Sequence, residues 1–530
     1  MSAVNGETLS FRQENGPDVE LVAFGDEFYA RYETSSGFTA IHDGTVGLYC
    51  YAGLVDGEFV STAVPISEAA PEGLRRHLKE APGVRNSKFD TRFANTLPPK
   101  DSVWADETLE TYGPVQGLME GRQLSTGVVR GLTILVDFPD LPAQVTAEEV
   151  SALLNDDSYT ANGNYCSVRH YFRLMSSGLL DYSNVVVGPI RLSHDQRYYV
   201  DNLLAGEALN LVVDMGVDLS QFDSKGEGYI DALSFMYAGS TLYEGWLWPH
   251  NFYMDWEHGG YRADLYMITS QGLSSSDLRI GTFCHESGHM LCRFPDLYDY
   301  GKRDGDFERS AGMGTYCLMS SGNHLNSGRT PAPICSYLRY LAGWCPNEIS
   351  LNTPGSYTAE HGDYGTVLVY KTVYDNEYFL VENRSQLGLD QALPSAGLAI
   401  YHCDIQGSNE WQGGSAANHY QCGLLQADGH FDLEHGLNQG DTTDLFAIVD
   451  SEILSDATTP STRLWDGSDS GLRIADIGSA GELISFRVVQ ASAFRGGSGG
   501  RLSQPSGRRR RARQGQASLD GGDLAGDSRA

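Results

Sequence analysis

Within residues Gly281 to Tyr300, His285, Glu286, Ser287, Gly288 and His289 form an H-E-x-x-H arrangement. On a helix, side chains four apart stand one above the other, so both imidazoles can turn toward one metal ion. Glu286 then falls beside that metal, where a general base belongs. The flanks predict a helix over about 276–293. Ser275, Ser276 and Asp277 offer N-cap oxygens, and Leu278, Ile280, Phe283, Met290 and Leu291 supply apolar faces. The competing reading is a helix that carries two core histidines. Catalytic zinc takes three protein ligands and keeps one position open, so a third ligand is needed. In the extended pattern H-E-x-x-H-x-x-G-x-x-H/D the chain turns at the Gly. Here Cys292 stands at the Gly position and Pro295 at the ligand position, and neither fits. The nearest carboxylates beyond them are Asp296 and Asp299.

Other residues compete for chemical roles. Asp223, Glu227 and Asp231 occupy positions one, five and nine of a calcium-like loop, but Lys225 sits at position three, where a cation repels calcium. Otherwise this stretch is a polar turn before a strand. His250, His258 and His324 are candidate substrate contacts or satisfied structural histidines. Cys50 lies between Tyr49 and Tyr51 in a β pattern, which favours a buried core thiol over a thiolate that blocks the metal. Asn383, Arg384 and Ser385 form a glycosylation sequon inside a strand motif and point to a structural role. Gly496 to Gly500 match G-x-S-x-G, but with no strand before and no helix after, the match is discarded.

The totals fit a globular protein of two to four domains: 530 residues with 41% hydrophobic content. A net charge of −32 argues against nucleic acid as a partner. No apolar run is long enough to cross a membrane. Nine cysteines without a C-x-x-C pair exclude a disulfide scaffold and a structural zinc ribbon.

Around the motif, residues 1 to about 95 alternate short apolar runs with Gly and Asp turns, as in small β-hairpins. Leu74 and Leu78 give Ser67 to Ala81 a helical spacing. Residues 98–125 read as a linker. Arg130 to Phe138 is a β-branched apolar run typical of a buried strand, and strands are also expected over Tyr182 to Ile190 and Ala232 to Tyr237. Helices are expected over Ala147 to Leu154, Ser167 to Ser177 and Ile334 to Leu341. After Leu351 the pattern is β throughout, as in a β-sandwich, with strands at Thr366 to Tyr370, Glu377 to Glu382, Gly397 to His402 and Gly481 to Val489. The tail 491–530, with Arg508 to Arg511 at its centre, has little to bury and reads as disordered.

The segment Pro295, Asp296, Leu297, Tyr298, Asp299 behind the H-E-x-x-H helix resembles the Pro-Asp-x-Tyr-Asp tail of the secreted zinc metalloproteases related to immune inhibitor A. The resemblance extends through Arg130 to Asp140, Ser167 to Phe172, Trp248 to His250, Cys317 to Gly322, Gly343 and Trp344, Glu377 to Arg384, and Gln426 to Asp428. It covers about residues 20–488. It implies zinc on His285 and His289 with Asp296 as third ligand and Asp299 in reserve. This chain has one extra residue before the Pro-Asp pair and lacks the turn Gly. Met319 matches the family's Met-turn, a floor beneath the metal. In the family the Asp223 to Asp231 stretch is often richer in Asp.

The expected protein is an α+β zinc endopeptidase. Its regions are a β-rich prodomain over 1–97, a linker over 98–125, a zincin-like catalytic domain over 126–350, a C-terminal β-sandwich over 351–490 and a basic tail over 491–530. Zn2+ is the expected cofactor, with Ca2+ at Asp223, Glu227 and Asp231 as a second. Proteins or peptides are the expected substrates, and the resemblance implies an extracellular destination; no signal peptide is visible from Met1, so either the protein stays inside or its true start lies upstream. Two alternatives stay open. One is a zincin of another clan with Glu308 as third ligand, and the other is a non-catalytic surface-binding protein with a degenerate metal site.

Overall fold

Alternating residues in the first 65 positions pair into a six-stranded antiparallel meander. Its strands are β1 (Val4–Phe11), β2 (Val19–Gly25), β3 (Ala30–Glu33), β4 (Thr39–Asp43), β5 (Leu48–Val55) and β6 (Glu58–Pro65). The computed structural model describes residues 3–97, 117–119, 121–301, 309–411, 414 and 419–490, the side chains of 449–453 excepted. Most of the expected linker, Glu308 and the tail 491–530 lie outside the described residues.

The helix expected over Ser67 to Ala81 does not form. The backbone N–H groups of His77 and Ala81 donate to Gly37 O and Gly57 O in the β3–β4 and β5–β6 turns, and His77 adopts a left-handed φ of 52°. A segment whose N–H groups are spent on neighbouring turns cannot close i to i−4 bonds. The helix comes afterwards as α1 (Pro82–Phe93), with Pro in its first turn, where the missing N–H costs nothing.

The second sheet positions the metal motif. β7 (Gly127–Asp137) is a nearly continuous apolar run and becomes a central strand. α2 (Ala147–Asn155), started by a Thr146–Glu149 capping box, and α3 (Val168–Met175), capped by Ser167, follow it. β8 (Leu180–Arg191) then returns parallel to β7. α4 (Tyr198–Asp201) and α5 (Ala205–Asp214) lead to β9 (Leu233–Tyr237) on the other side of β7. The hairpin β10 (His250–His258) and β11 (Tyr261–Ser270) completes the order β10-β11-β9-β7-β8. Parallel strands bury both faces. Leu132, Ile134 and Val136 of β7 pack in the cluster with α5, whereas Val129 and Leu135 pack in the cluster with α2, α3 and α6 (Gly281–Cys292).

After α7 (Leu325–Gly328) and α8 (Ser336–Leu341) come nine further strands among the described residues. β12 (Asn347–Ser350), β14 (Thr366–Lys371), β15 (Glu377–Asn383), β16 (Leu398–Asp404) and β17 (Cys422–Leu424) form one sheet. β13 (Gly355–Glu360), β18 (Val449–Leu454), β19 (Ile474–Ile477) and β20 (Leu483–Val488) form the other. Phe379, Val381, Leu398 and Ile400 share a core with Ile474, Ile484 and Phe486. Their neighbours Tyr378, Leu380, Ala399 and Tyr401 point the opposite way and join the cluster around α3 and α6. The first of these sheets is thus buried on both faces. Residues to Gln490 cluster as one compact α+β unit.

Candidate metal centre

Helix α6 begins later than its flanking sequence suggests. Asp277 closes a separate short turn, accepting from the N–H groups of Leu273 and Ser274. Asn164 supports the start of α6 instead: its Oδ1 accepts from Ile280 N–H at 3.2 Å, and its Nδ2 donates to Leu278 O at 2.9 Å. At the other end Arg293 takes a left-handed conformation (φ 56°), and its N–H reaches back to His289 O at 3.1 Å. The turn normally made by Gly is therefore made by Arg293, one residue after the Gly position of the motif.

The turn brings Asp296 onto the histidines. His285 Nε2 lies 3.1 Å and His289 Nε2 3.4 Å from Asp296 Oδ1, and the two Nε2 atoms are 3.2 Å apart. Each ring is fixed from behind: His285 Nδ1 faces Leu318 O at 2.8 Å and His289 Nδ1 faces Phe294 O at 2.6 Å. A carbonyl only accepts, so both Nδ1 atoms carry the proton and both Nε2 atoms present lone pairs. Two such lone pairs and a carboxylate oxygen converging without a proton between them form a donor set for a cation. Among the described residues the three form one of two convergent groups able to hold a metal ion. All three side chains are fully enclosed. Burial drives both imidazoles below their ordinary range, which keeps them neutral as ligands must be. Burial opposes ionisation of Asp296, yet its carboxyl is held well below the usual range, so it stands as an anion beside the two neutral rings.

Two residues that the sequence did not single out hold Asp296. Its N–H donates to Glu410 Oε1 at 2.7 Å, and Tyr300 OH donates to its Oδ2 at 2.8 Å. Tyr300 is visible in the sequence beside the Pro-Asp segment. Glu410 lies 114 positions away and carries no local signal. Tyr300 is itself wedged edge-on against Phe28, at 5.2 Å, and Trp411, at 5.3 Å, so the N-terminal region buttresses the centre.

Below α6 lies Met319, fully buried. A Cβ on Gly288 would come within 2.6 Å of Met319 Sδ, so any larger residue there would push the Met319 side chain aside. Glu286 is fully enclosed, and burial raises its carboxyl pKa.

The remaining candidates separate. Asp299 is not part of the convergent group; its Oδ1 accepts from Gly301 N–H at 2.7 Å. His250 is a structural histidine, held between Trp248 O and Tyr266 OH. His258 stacks on Trp256 at the exposed end of β10. His324 is buried, and burial lowers its pKa to about 4. It lines a cavity of about 450 Å³ shared with Tyr298, Asp299, Ser321 and Gln439, which Ala3, Val4 and Asn5 also line. Cys50 is a core thiol of β5, pushed up by burial, as its β pattern suggested. Asn383 is buried, its Nδ2 bonded to Ala359 O and Gly481 O.

The expected calcium loop does not converge. Asp231 pairs with Arg122 and accepts from Ser224 N–H, while Asp223 accepts from the N–H groups of Glu227 and Gly228. Protein donors and a guanidinium thus occupy the carboxylates that calcium needs.

No family model matches the chain, and no curated protein matches it. Among solved structures, the crystal structure of metalloproteinase-II from Bacteroides fragilis aligns with 55% of this chain and 81% of that one, at 10% identity and a TM-score of 0.18. At those values the likeness carries no argument about fold or activity. The geometry supports a coarser statement: this is a mixed α+β protein with a buried His/His/Asp group suited to coordinate a metal ion.

Proposed function

We propose that the protein is a zinc-dependent endopeptidase, with zinc held by His285, His289 and Asp296. One observation carries the reading. Two imidazole Nε2 atoms and one carboxylate oxygen converge within 3.4 Å, and both histidines stand on the helix that also carries Glu286. When bound, zinc supplies Lewis acidity toward a peptide carbonyl and acidifies water toward neutrality. The other tasks fall to the chain. Glu286 accepts a proton from the attacking water and returns it to the leaving amine nitrogen, and its burial-raised pKa makes it a stronger acceptor. Leu318 O and Phe294 O fix the tautomer and aim of the histidines. Tyr300 and Glu410 orient Asp296.

In this reading 1–97 is a prosegment, 126–350 the catalytic domain and 351–490 a β-sandwich. The lining of the His324 cavity by Ala3, Val4 and Asn5 supports the first assignment, and the core shared by the two C-terminal sheets supports the last. Secretion belongs to the same reading and rests on the family resemblance.

The test is elemental analysis of the purified chain, together with casein cleavage before and after mild trypsin treatment, each with and without a zinc chelator. One equivalent of zinc and chelator-sensitive cleavage are expected. A chain that takes up no zinc, or whose cleavage survives complete zinc removal, overturns the proposal.

A further inference from the structure

A second convergent group lies between β17 and β18. Asp428, Asp441 and Asp444 each bring a carboxylate oxygen within 4.8 Å of the others. We propose that these three bind a hard divalent cation of the calcium or magnesium class. The inference stands on Asp444, which is only 1% exposed. Its Oδ2 accepts from Asp441 N–H at 2.7 Å and from Tyr316 OH at 2.9 Å. Its Oδ1 is equally enclosed and meets no hydrogen-bond donor. A carboxylate oxygen shut away from water without a partner is costly, and a cation is the partner that also answers the charge.

The deficit is confined to that oxygen: Asp441 accepts from Thr443 N–H at 2.8 Å and Asn438 Nδ2 at 3.1 Å, and Asp428 Oδ1 from His430 N–H at 3.0 Å. Thr443 Oγ1 lies 2.6 Å from both Asp428 Oδ2 and Asp441 Oδ1, but a hydroxyl has one proton and serves one of them. His430 touches Asp428 Oδ2 at 3.1 Å from a largely exposed ring, and no cationic side chain is recorded on Asp441 or Asp444 among the described residues. Burial, with the like charges of Asp441 and Asp428, pushes the Asp444 carboxyl up to about 6. The donor set is all oxygen, which selects hard cations over zinc.

The cation would tie together a segment that walls the cavity next to His324. Ala427 N–H donates to Asp444 O at 2.8 Å, and Tyr316 OH also reaches Asp441 O at 3.1 Å. Between them Leu433 O and Gln439 O accept from Ala311 and Thr315. Gly436 to Gln439 line the cavity itself. The second site would therefore fasten the cleft wall rather than take part in chemistry.

This inference does not rest on the zinc reading, and the experiment keeps the two apart. The full chain, freed of calcium and magnesium, is titrated calorimetrically with CaCl2 and, in a second arm, MgCl2. The wild type is compared with Asp444→Asn, Asp428→Asn and His285→Ala. One equivalent of at least one cation is expected, bound at least tenfold more weakly by the two aspartate variants, whose zinc content stays that of the wild type. His285→Ala is expected to lose zinc and keep this binding. Should Asp444→Asn fail to fold, the half-buried Asp428→Asn decides. No saturable binding of either cation at millimolar concentration, or wild-type binding in a folded Asp428→Asn variant, overturns the proposal.

Discussion

The two convergent groups differ in nearly every respect that decides what a site can do. His285, His289 and Asp296 offer two nitrogens and one oxygen, fully enclosed, with Glu286 on the same helix. Asp428, Asp441 and Asp444 offer three oxygens, two of them on half-buried side chains, held by turns instead of a helix. The first donor set suits a borderline metal that activates substrates, the second a hard cation that holds a loop. The support differs too. The histidine rings are locked by carbonyls on their far nitrogens, whereas the aspartate group buries one carboxylate oxygen, Asp444 Oδ1, without a donor. Rigid neutral ligands make a site ready before metal arrives, and crowded anions make a segment that depends on its cation.

The sharpest way to separate the groups is through Glu286, for which the aspartate group has no counterpart. Glu286→Gln is expected to retain zinc and lower kcat by about 10²- to 10⁴-fold, the usual contribution of a general base. Unchanged cleavage rates would remove catalysis from the first group and leave two binding sites. Next in size is the third ligand. Asp296→Asn should weaken zinc binding by at least about 100-fold, beyond the range typical of outer-sphere losses. Asp299→Asn should leave zinc content alone, and zinc analysis reversing that order would put the reserve carboxylate in its place. Smaller again is the support of Asp296. Tyr300→Phe removes the 2.8 Å hydrogen bond to Oδ2 and should cost about 10- to 100-fold in zinc affinity, read by competition with a chromogenic chelator. Wild-type affinity there would mean that Glu410 and the Arg293 turn suffice.

How far each group can be read in the chain follows from how local it is. The pair His285 and His289 is legible because four-residue spacing on a helix is itself the geometry. Asp296 is ranked ahead of Asp299 by the family resemblance and not by spacing, because the geometry depends on a left-handed Arg293 in place of Gly and on Glu410 from a distant segment. The fold divides in the same way. β7, β8, β15 and β16 come within a few residues of the runs that announced them. The packing of Tyr378, Leu380, Ala399 and Tyr401 onto the helical layer did not, since a strand buried on both faces has no alternation to betray a second partner. The helix spacing at Leu74 and Leu78 misled for a related reason: turn carbonyls captured the N–H groups. For calcium, regular spacing drew attention to Asp223, Glu227 and Asp231, whereas the group that converges uses irregular separations within a turn-rich segment.

The finest distinction between the groups is in their response to pH. Asp444 is raised to about 6 from an ordinary 3.8, chiefly by burial, with Asp441 and Asp428 adding repulsion. A carboxyl whose folded pKa exceeds its unfolded value binds its proton more tightly in the native state. Between about pH 4 and pH 6 the unfolded chain therefore carries fewer protons than the folded one, and stability falls as pH rises through that window. A shift of this size corresponds to about 3 kcal/mol as an upper bound, and solvent screening of a carboxyl near the surface lowers it. Thermal unfolding in buffer free of calcium and magnesium should show a midpoint that declines from pH 4 to pH 6 by more in the wild type than in Asp444→Asn, which has no such proton to lose. Adding the cation that binds should flatten the wild-type decline, because an ionised Asp444 then has its partner. Parallel midpoint curves for the two chains, with and without cation, would mean that Asp444 ionises at its ordinary pH, and the contrast between the two groups would reduce to their donor atoms.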